Sequence, residues 1–362
     1  MDKKDLKILA ALDRLGGNAS AQEISDSIEK TMNLRVPART IRYRLSTMME
    51  RGILLPSFLQ SQERVLGLGE KVLIVQEHGC ISEELERVIE AIPIFHWYVP
   101  THGRYDGYLI HAVYDMKNPK MLQQILKKLQ KKQLIDNFRE FDIVDYESKR
   151  VDFNRYRPDG HWIWNWNEWR ERIPSTLKYE GVSPHNMTFE YKTIECDGTD
   201  IEILKQLKQD PEMSMTTLSL LLNQSVTQIR DKAQYLRDVG VIRGSRRAYG
   251  FVGDLLWFSI FIEMEDAVDG VLKVFYDLPF PGVVLAESPN RYCFRFGLDT
   301  TDFKHFLEGF RLVRGKLNSY SFQIHLPDRV DSTYLNIFSL FDKDKNRWNM
   351  PVDDYLKLID RS

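Results

Sequence analysis

Four arginines stand close together at positions 35, 39, 42 and 44, with no acidic residue between them. A guanidinium suits both phosphate and guanine, because its planar fork donates two parallel hydrogen bonds. In a helix, the 3.6-residue period places Arg39 and Arg42 near each other, while Leu45 faces away. The pattern predicts a contact surface for double-stranded DNA, and the alternative is a solvated helix face. The predicted contacts are Arg35, Arg39, Thr40, Arg42, Tyr43 and Arg44.

A second cationic set lies far along the chain. Three of its residues belong to a predicted helix and three to the strand region that follows, where arginines commonly touch phosphates. Asp231 and Asp238 share that helix, so a degenerate unit that mainly mediates assembly is the alternative to DNA contact. The predicted contacts are Gln228, Arg230, Lys232, Arg243, Arg246 and Arg247.

Both sets belong to a repeated unit of three helices and a wing. Apolar residues recur at helical spacing in 5–67 and again in 199–250. Ser20 with Glu23, and Ser225 with Gln228, form the capping-box pattern of a helix start. Gly52 and Gly240 end the third helix of each copy, before a strand. The sequence therefore predicts two winged helix-turn-helix units.

Each unit precedes a βαββαβ pattern, the order of a ferredoxin-like domain. We expect an α+β protein in which two winged helix-turn-helix domains alternate with two ferredoxin-like domains. A Trp-rich segment follows the first ferredoxin-like pattern, and a similar Trp-Asn step occurs near the C-terminus, so we expect each of these domains to carry its own extension. The predicted ranges are 1–67 and 199–250 for the winged units, 68–175 and 251–362 for the ferredoxin-like domains with their extensions, and 176–198 for a linker.

Several short motifs resemble the Lrp/AsnC (leucine-responsive) family of transcriptional regulators. Residues 39–45 followed by 50–53 are similar to its recognition helix and wing entry, and 225–236 followed by 240–242 repeat the pattern. Residues 101–109 resemble its sensor-domain turn, with a Gly and then an Asp between two strands. The resemblance covers most of the chain in two tandem passes. It implies a sequence-specific DNA-binding regulator whose sensor domains mediate assembly.

The resemblance also implies a small effector, such as an amino acid, bound near the sensor turn. The predicted effector-binding residues are Gly103, Arg104, Tyr105 and Asp106. A plain connecting loop capped by Asp106 is the alternative. The corresponding turn of the second copy, 288–293, lacks the Gly and the Asp, which departs from the family pattern.

An enzyme of the same architecture is the main alternative, since the sirohaem decarboxylases resemble these regulators and act on a tetrapyrrole. Such an enzyme needs cations for substrate carboxylates, and His96, His102 and His111 lie on adjacent predicted strands with Arg104 nearby. Strand histidines are more often structural, so we expect a regulator or, failing that, a non-catalytic assembly protein. We expect no enzyme activity, no catalytic residues, no cofactor and no metal.

Composition limits the remaining choices. The formal net charge of -2 means that a DNA site must be a local patch. Cys80, Cys196 and Cys293 have no zinc-ligand spacing. With neither a signal peptide nor a membrane span in the sequence, we expect a cytoplasmic protein with no membrane partner, as a homodimer or an intrachain pseudo-dimer.

The tryptophans at 162, 164, 166 and 169 allow two interpretations. Aromatic side chains stack unpaired bases in single-stranded nucleic acids. Large aromatics more often pack in cores and interfaces, and we favour packing against a sensor-domain helix or a subunit interface.

Overall fold

The computed structural model describes residues 1–79, 82–250, 255–266, 268–326 and 334–361. Cys80 lies outside these ranges. Among the described residues, no helix combines the length and the apolar character needed to cross a membrane.

The chain begins with the first winged unit. Its helices start at side-chain caps, Asp2 for the first and Ser20 for the second, and they bury Ile8, Ile24 and Ile41 against one another. The helices are α1 Lys3–Leu15, α2 Ala21–Met32 and α3 Ala38–Glu50, and the wing strand is β1 Leu54–Ser61.

A four-stranded ferredoxin-like sheet follows, in the order β5-β2-β4-β3. Its helices bury apolar faces on one side of the sheet. The elements are β2 Leu68–Glu77, α4 Ser82–Ala91, β3 Phe95–Gly103, β4 Gly107–Asp115, α5 Met121–Lys131 and β5 Ile135–Ile143. Past Val144, the chain continues as β6 Asp145–Lys149 and then reaches helix α6 Trp166–Thr176 of the Trp-rich extension.

The second winged unit and the second ferredoxin-like domain repeat this plan. The winged unit contains α7 Gly198–Gln209, α8 Met215–Leu222, α9 Val226–Asp238 and β7 Ile242–Tyr249. The sheet has the order β11-β8-β10-β9. Its elements are β8 Leu255–Glu263, α10 Val268–Tyr276, β9 Gly282–Ser288, β10 Arg291–Asp299, α11 Thr300–Val313 and β11 Ser319–His325. A short hairpin, β12 Phe341–Asp342 with β13 Arg347–Trp348, leads to α12 Val352–Arg361. The predicted α+β fold class is confirmed.

The two sheets join into one closed sheet. At one junction β11 pairs with β3, where Gln323 lies opposite Gly103 and His325 opposite Thr101. At the other, β6 pairs with β9. Because β5 runs directly into β6, this second pairing closes the sheet around an interior lined by both domains. Phe141 and Phe261 meet edge-to-face inside it, with ring centroids 5.4 Å apart.

The two extensions are exchanged between the domains. Helix α6 packs on α10 and α11 of the second domain, where the Trp169 indole donates a hydrogen bond to the Val274 carbonyl, 3.3 Å away. Helix α12 packs on α4 and α5 of the first domain, and the Trp348 indole donates to the Leu66 carbonyl over 2.8 Å. Each extension therefore covers the domain that it does not follow. Trp166 and Trp169 are buried, in agreement with packing.

The wings are also shared. Strands β1 and β7 pair antiparallel, with Phe58 opposite Arg246. This two-stranded ribbon joins the winged units directly. Together with the repeated order of elements, it relates the two halves of the chain by an approximate twofold axis.

Candidate functional site

The cationic residues of the first winged unit lie mainly on its surface. Arg35, Arg39 and Arg42 are exposed and form no ion pair with any described residue. Tyr43 is 74% exposed, and Thr40 is half-buried. Arg44 differs, because its guanidinium binds the carboxylates of Asp2 and Asp5 at 2.8 and 2.6 Å. DNA contact by this helix stays a prediction.

The cationic residues of the second winged unit are largely paired with carboxylates. Lys232 lies 2.8 Å from both Asp197 and Asp200, and Gln228 caps its own helix at Ser225. Arg230 is exposed. The three wing arginines pair with carboxylates elsewhere in the fold: Arg243 with Asp145, Arg246 with Asp13, and Arg247 with Glu212. Their predicted role on DNA also stays a prediction.

The predicted effector turn docks the two ferredoxin-like domains. A Cβ on Gly103 would lie 2.2 Å from the Phe322 carbonyl oxygen, so the approach of β11 requires glycine. The Tyr105 amide donates to the Gln323 side chain over 3.2 Å. Asp106 accepts from the Gly103 amide at 3.2 Å, and Arg104 is exposed. Effector binding here remains a prediction.

A polar cluster lies inside the closed sheet, between the two domains. It is formed by strand residues whose side chains alternate with those that face the helices. His96 and His111 are buried, while Glu70, Trp97 and Arg295 are half-buried. The cluster brings together two histidines that the sequence singled out. It leaves out His102, whose exposed ring pairs with Asp106, and Arg104.

Three side chains form a hydrogen-bonded chain through the cluster. Arg295 Nη2 lies 2.9 Å from His111 Nε2, and His111 Nδ1 lies 2.5 Å from a Glu70 carboxylate oxygen. Arginine has only donors, so Nε2 must accept. A neutral His111 then carries its hydrogen on Nδ1 and donates it to Glu70.

Neighbouring groups fix the Arg295 guanidinium. It lies over the Trp97 ring, 4.6 Å from the centroid, and its Nε donates to Ser259 Oγ over 3.4 Å. Ser259 Oγ is also 2.9 Å from His325 Nε2. No carboxylate forms an ion pair with Arg295 in the part of the chain that the structure describes. Burial lowers the pKa of Arg295, but a guanidinium keeps its charge at neutral pH.

The charge states of the cluster follow from burial and from these contacts. Burial alone would raise the pKa of Glu70, but hydrogen bonds from His111 and His96 hold it well below its ordinary value. Burial and the Arg295 charge lower the pKa of His111 to about 4, against the opposing effect of Glu70. The pKa of His325 is lowered by burial and by the same guanidinium. At neutral pH the cluster therefore holds one anion, one cation and neutral imidazoles at 111 and 325.

Glu70, His96 and His111 also resemble a metal-ligand set, since their donor atoms lie within 4.8 Å of one another. The Arg295 contact argues against this interpretation. A metal on His111 Nδ1 would move the ring hydrogen to Nε2, where it would face an Arg295 donor. The arrangement is that of a hydrogen-bonded network.

The cluster lies across the pseudo-twofold axis, but its residues do not obey the twofold symmetry. His111 and Arg295 are each the fifth residue of a nine-residue strand at the same place in their domains, and they meet across the axis. Val72 lies opposite His111, and Ser259 lies opposite Arg295, so Val72 and Ser259 occupy equivalent positions in the two domains. Two residues earlier on the same strands, Glu70 is therefore equivalent to Trp257. Sequence reasoning missed Glu70 and Arg295. Aligning the two copies of this strand would have placed Arg295 at the position of His111.

No protein-family model matches the sequence, and no curated protein matches it either. Among solved structures, the siroheme decarboxylase NirDL aligns with 99% of this chain and 97% of its own, at a TM-score of 0.49 and 12% identity. The same enzyme in co-complex with an iron-uroporphyrin III analogue aligns with 88% of this chain and 91% of its own, at a TM-score of 0.46 and 14% identity. AsnC from E. coli aligns with 37% of this chain and 95% of its own, at a TM-score of 0.29 and 16% identity.

These neighbours correct one expectation. We expected the chain not to be an enzyme, and this expectation is contradicted by two solved structures of a decarboxylase that align with most of the chain. The regulators of the Lrp/AsnC type align with only part of it.

Proposed function

We propose that this protein is an enzyme that removes a carboxyl group from a side chain of a carboxylated tetrapyrrole. The reaction takes place at the Glu70–His111–Arg295 cluster between the two ferredoxin-like domains. The observation that carries the proposal is Arg295, a cation inside the closed sheet that has no carboxylate partner among the described residues.

The surroundings of Arg295 suit a substrate carboxylate. A guanidinium binds a carboxylate through two parallel hydrogen bonds, and low dielectric strengthens them. Trp97 supports one face of the guanidinium, so its plane is set before the substrate arrives. The neighbouring His111 ring can exchange a proton with the substrate. Arg295 would orient the carboxylate, and His111 would handle the proton that decarboxylation consumes.

The test is incubation with siroheme, and separately with iron-uroporphyrin III, followed by mass spectrometry of the tetrapyrrole. We expect products that have lost CO2 with the wild-type protein and none with Arg295→Gln. His102→Ala is the matched control, because this histidine lies outside the cluster, and it should keep the wild-type rate. Tetrapyrrole that binds but keeps all its carboxyl groups, or equal activity in Arg295→Gln, would refute the proposal.

A second function, sequence-specific binding of double-stranded DNA by α3, is supported by the free cations of the first winged unit. Arg39 and Arg42 are exposed without ion pairs, whereas Arg44 and the wing arginines are paired. Exposed arginines at the start of a recognition helix are placed to reach base edges and phosphates. This function would make the protein a regulator as well as an enzyme, with an effector at 103–106.

Fluorescence anisotropy on the protein's own promoter, with random competitor DNA and at several salt concentrations, tests this second function. If Arg39 and Arg42 each contact a phosphate, replacing both with Ala lowers the slope of log K against log salt by about 2. Arg311→Ala on α11 together with Arg314→Ala just after it removes the same charge from the second ferredoxin-like domain and should leave the slope unchanged. Equal slopes in all three proteins would refute a DNA contact by α3.

A further inference from the structure

In the free protein, both ring nitrogens of His111 are already engaged in hydrogen bonds. Its Nδ1 hydrogen is donated to Glu70, and its Nε2 lone pair accepts from Arg295. The neutral ring therefore has no spare proton to give. We propose that the Glu70–His111–Arg295 chain couples the binding of a carboxylate at Arg295 to the uptake of one proton by His111.

The first argument is competition for the Arg295 donors. A carboxylate that binds in bidentate fashion takes two parallel N–H groups of the guanidinium. In the free protein, one Nη2 hydrogen is donated to His111 and the Nε hydrogen to Ser259, so a ligand that takes the parallel Nε and Nη2 donors displaces Ser259 and competes with His111 for Nη2. When Nη2 turns to the ligand, His111 Nε2 loses its donor. Protonated Nε2 can then donate to the ligand in turn.

The second argument is charge. The free cluster contains the Glu70 carboxylate and the Arg295 guanidinium, which together are neutral. A bound carboxylate brings one uncompensated negative charge into a site of low dielectric, which is costly. Protonation of His111 restores neutrality and places a cationic ring between the Glu70 carboxylate and the ligand carboxylate.

Other titratable groups also face His111, from β3, β10 and β11. His325, on β11, contacts Ser259 through Nε2 and has its pKa lowered to about 2 by burial and by Arg295. His96, on β3, lies 3.3 Å from the same Glu70 oxygen that His111 uses. Burial raises the pKa of the Cys293 thiol to about 12, so it stays neutral. His111 contacts both the Glu70 carboxylate and the Arg295 guanidinium that would bind the ligand.

The functional role of this coupling rests on the proposed decarboxylation, which consumes the proton that His111 takes up. In that reaction the bond between the side-chain carbon and the carboxyl carbon breaks, CO2 leaves, and the bonding electron pair stays on the side-chain carbon. That carbon takes up the proton from His111. The cluster then returns to its initial neutral state, with the ring hydrogen again on Nδ1 and Arg295 free to donate to Nε2.

The experiment uses propionate as the probe and NMR of protein labelled with 15N in its eight histidines. His111→Gln assigns the His111 signals. At neutral pH we expect the free protein to show neutral His111 in the Nδ1–H form, and saturating propionate to convert it to the protonated form. Calorimetry in buffers of different ionisation enthalpy should report uptake of about one proton per propionate bound.

Variants separate this coupling from simple binding. We expect Arg295→Gln to lose propionate binding, and His111→Gln to bind propionate without proton uptake. Glu70→Gln should show weaker uptake, since the carboxylate that stabilises the protonated ring is gone. His325→Gln should keep the full uptake. Circular dichroism confirms that each variant is folded.

Two outcomes would overturn the inference: propionate that binds while His111 stays neutral, or uptake that persists in His111→Gln. Either can occur while siroheme is still decarboxylated, which would leave the proposed function standing. Coupled uptake without turnover of a tetrapyrrole would instead support the relay and refute the substrate.

Discussion

Removal of the Asp145 carboxylate tests how the winged units are held to the closed sheet. Asp145 is 1% exposed at the start of β6. It accepts from the Tyr146 and Thr188 amides at 2.7 and 2.8 Å, from the Gln62 side chain at 3.3 Å, and from Arg243 of the second wing. One carboxylate thus joins β6, the segment after the first wing, the interdomain connector and the second wing.

The expected cost of Asp145→Ala follows from what the substitution leaves behind. Breaking a buried ion pair by removing one partner costs about 3–5 kcal/mol, and each buried donor left without a partner costs about 1–3 kcal/mol. The Arg243 side chain is 27% exposed, so water can hydrate it once the carboxylate is gone. This hydration offsets part of the cost of the donors that are left without a partner. We expect a loss of about 3–5 kcal/mol in the free energy of unfolding.

Urea unfolding followed by tryptophan fluorescence measures this loss, with Asp354→Ala as the control. Asp354 also pairs with a cation, Lys357 at 3.0 Å, but both side chains are more than 60% exposed. Exposed pairs contribute about 0–1 kcal/mol, so the control should stay within that range. Arg243→Ala should cost less than Asp145→Ala, because the carboxylate keeps its other donors. A loss below about 1 kcal/mol in Asp145→Ala would refute the reasoning.

Three further predictions concern single side chains. Gly309→Ala places a Cβ 2.0 Å from the Trp169 ring and should cost about 1–3 kcal/mol by thermal unfolding, whereas Gly315→Ala, with open space at its Cβ, should not show this loss. Asp299 caps α11, and a backbone hydrogen bond lowers its pKa from 3.8. Asp299→Ala should therefore cost about 1 kcal/mol at neutral pH, a difference that shrinks in urea titrations as the pH falls through the lowered pKa. Tyr43→Ala should change the free energy of unfolding by less than about 0.5 kcal/mol while weakening DNA binding in the anisotropy assay.

Local structure could be predicted from the sequence because its signals are local. The capping boxes at Ser20 and Ser225 start helices where the patterns predicted them, one residue after the cap. The βαββαβ pattern predicted the order of strands and helices in both ferredoxin-like domains. These signals depend on residues close together in the chain, which a single sequence contains in full.

The closed sheet and the exchange of extensions could not be predicted in the same way. The Trp169 face of α6 indicates that the helix must bury apolar surface, but not which domain supplies the partner. The contact between His111 and Arg295 spans 184 positions and depends on β3 pairing with β11. For the same reason His96, His102 and His111 formed one hypothetical cluster in the sequence, whereas the structure turns His102 outward and brings in Glu70 and Arg295.

The presence of two similar but non-identical ferredoxin-like domains in one chain is what allows the cluster to form. His111 and Arg295 occupy equivalent positions and meet at the pseudo-twofold axis, so two identical copies would place like against like there. Two arginines at these positions would bring like charges together at a site of low dielectric, and two histidines would leave no fixed cation for a carboxylate. Only copies that differ in sequence can present His on one side and Arg on the other. The same difference places Glu70 on one side and Trp257 on the other, so the described part of the chain contains one such cluster.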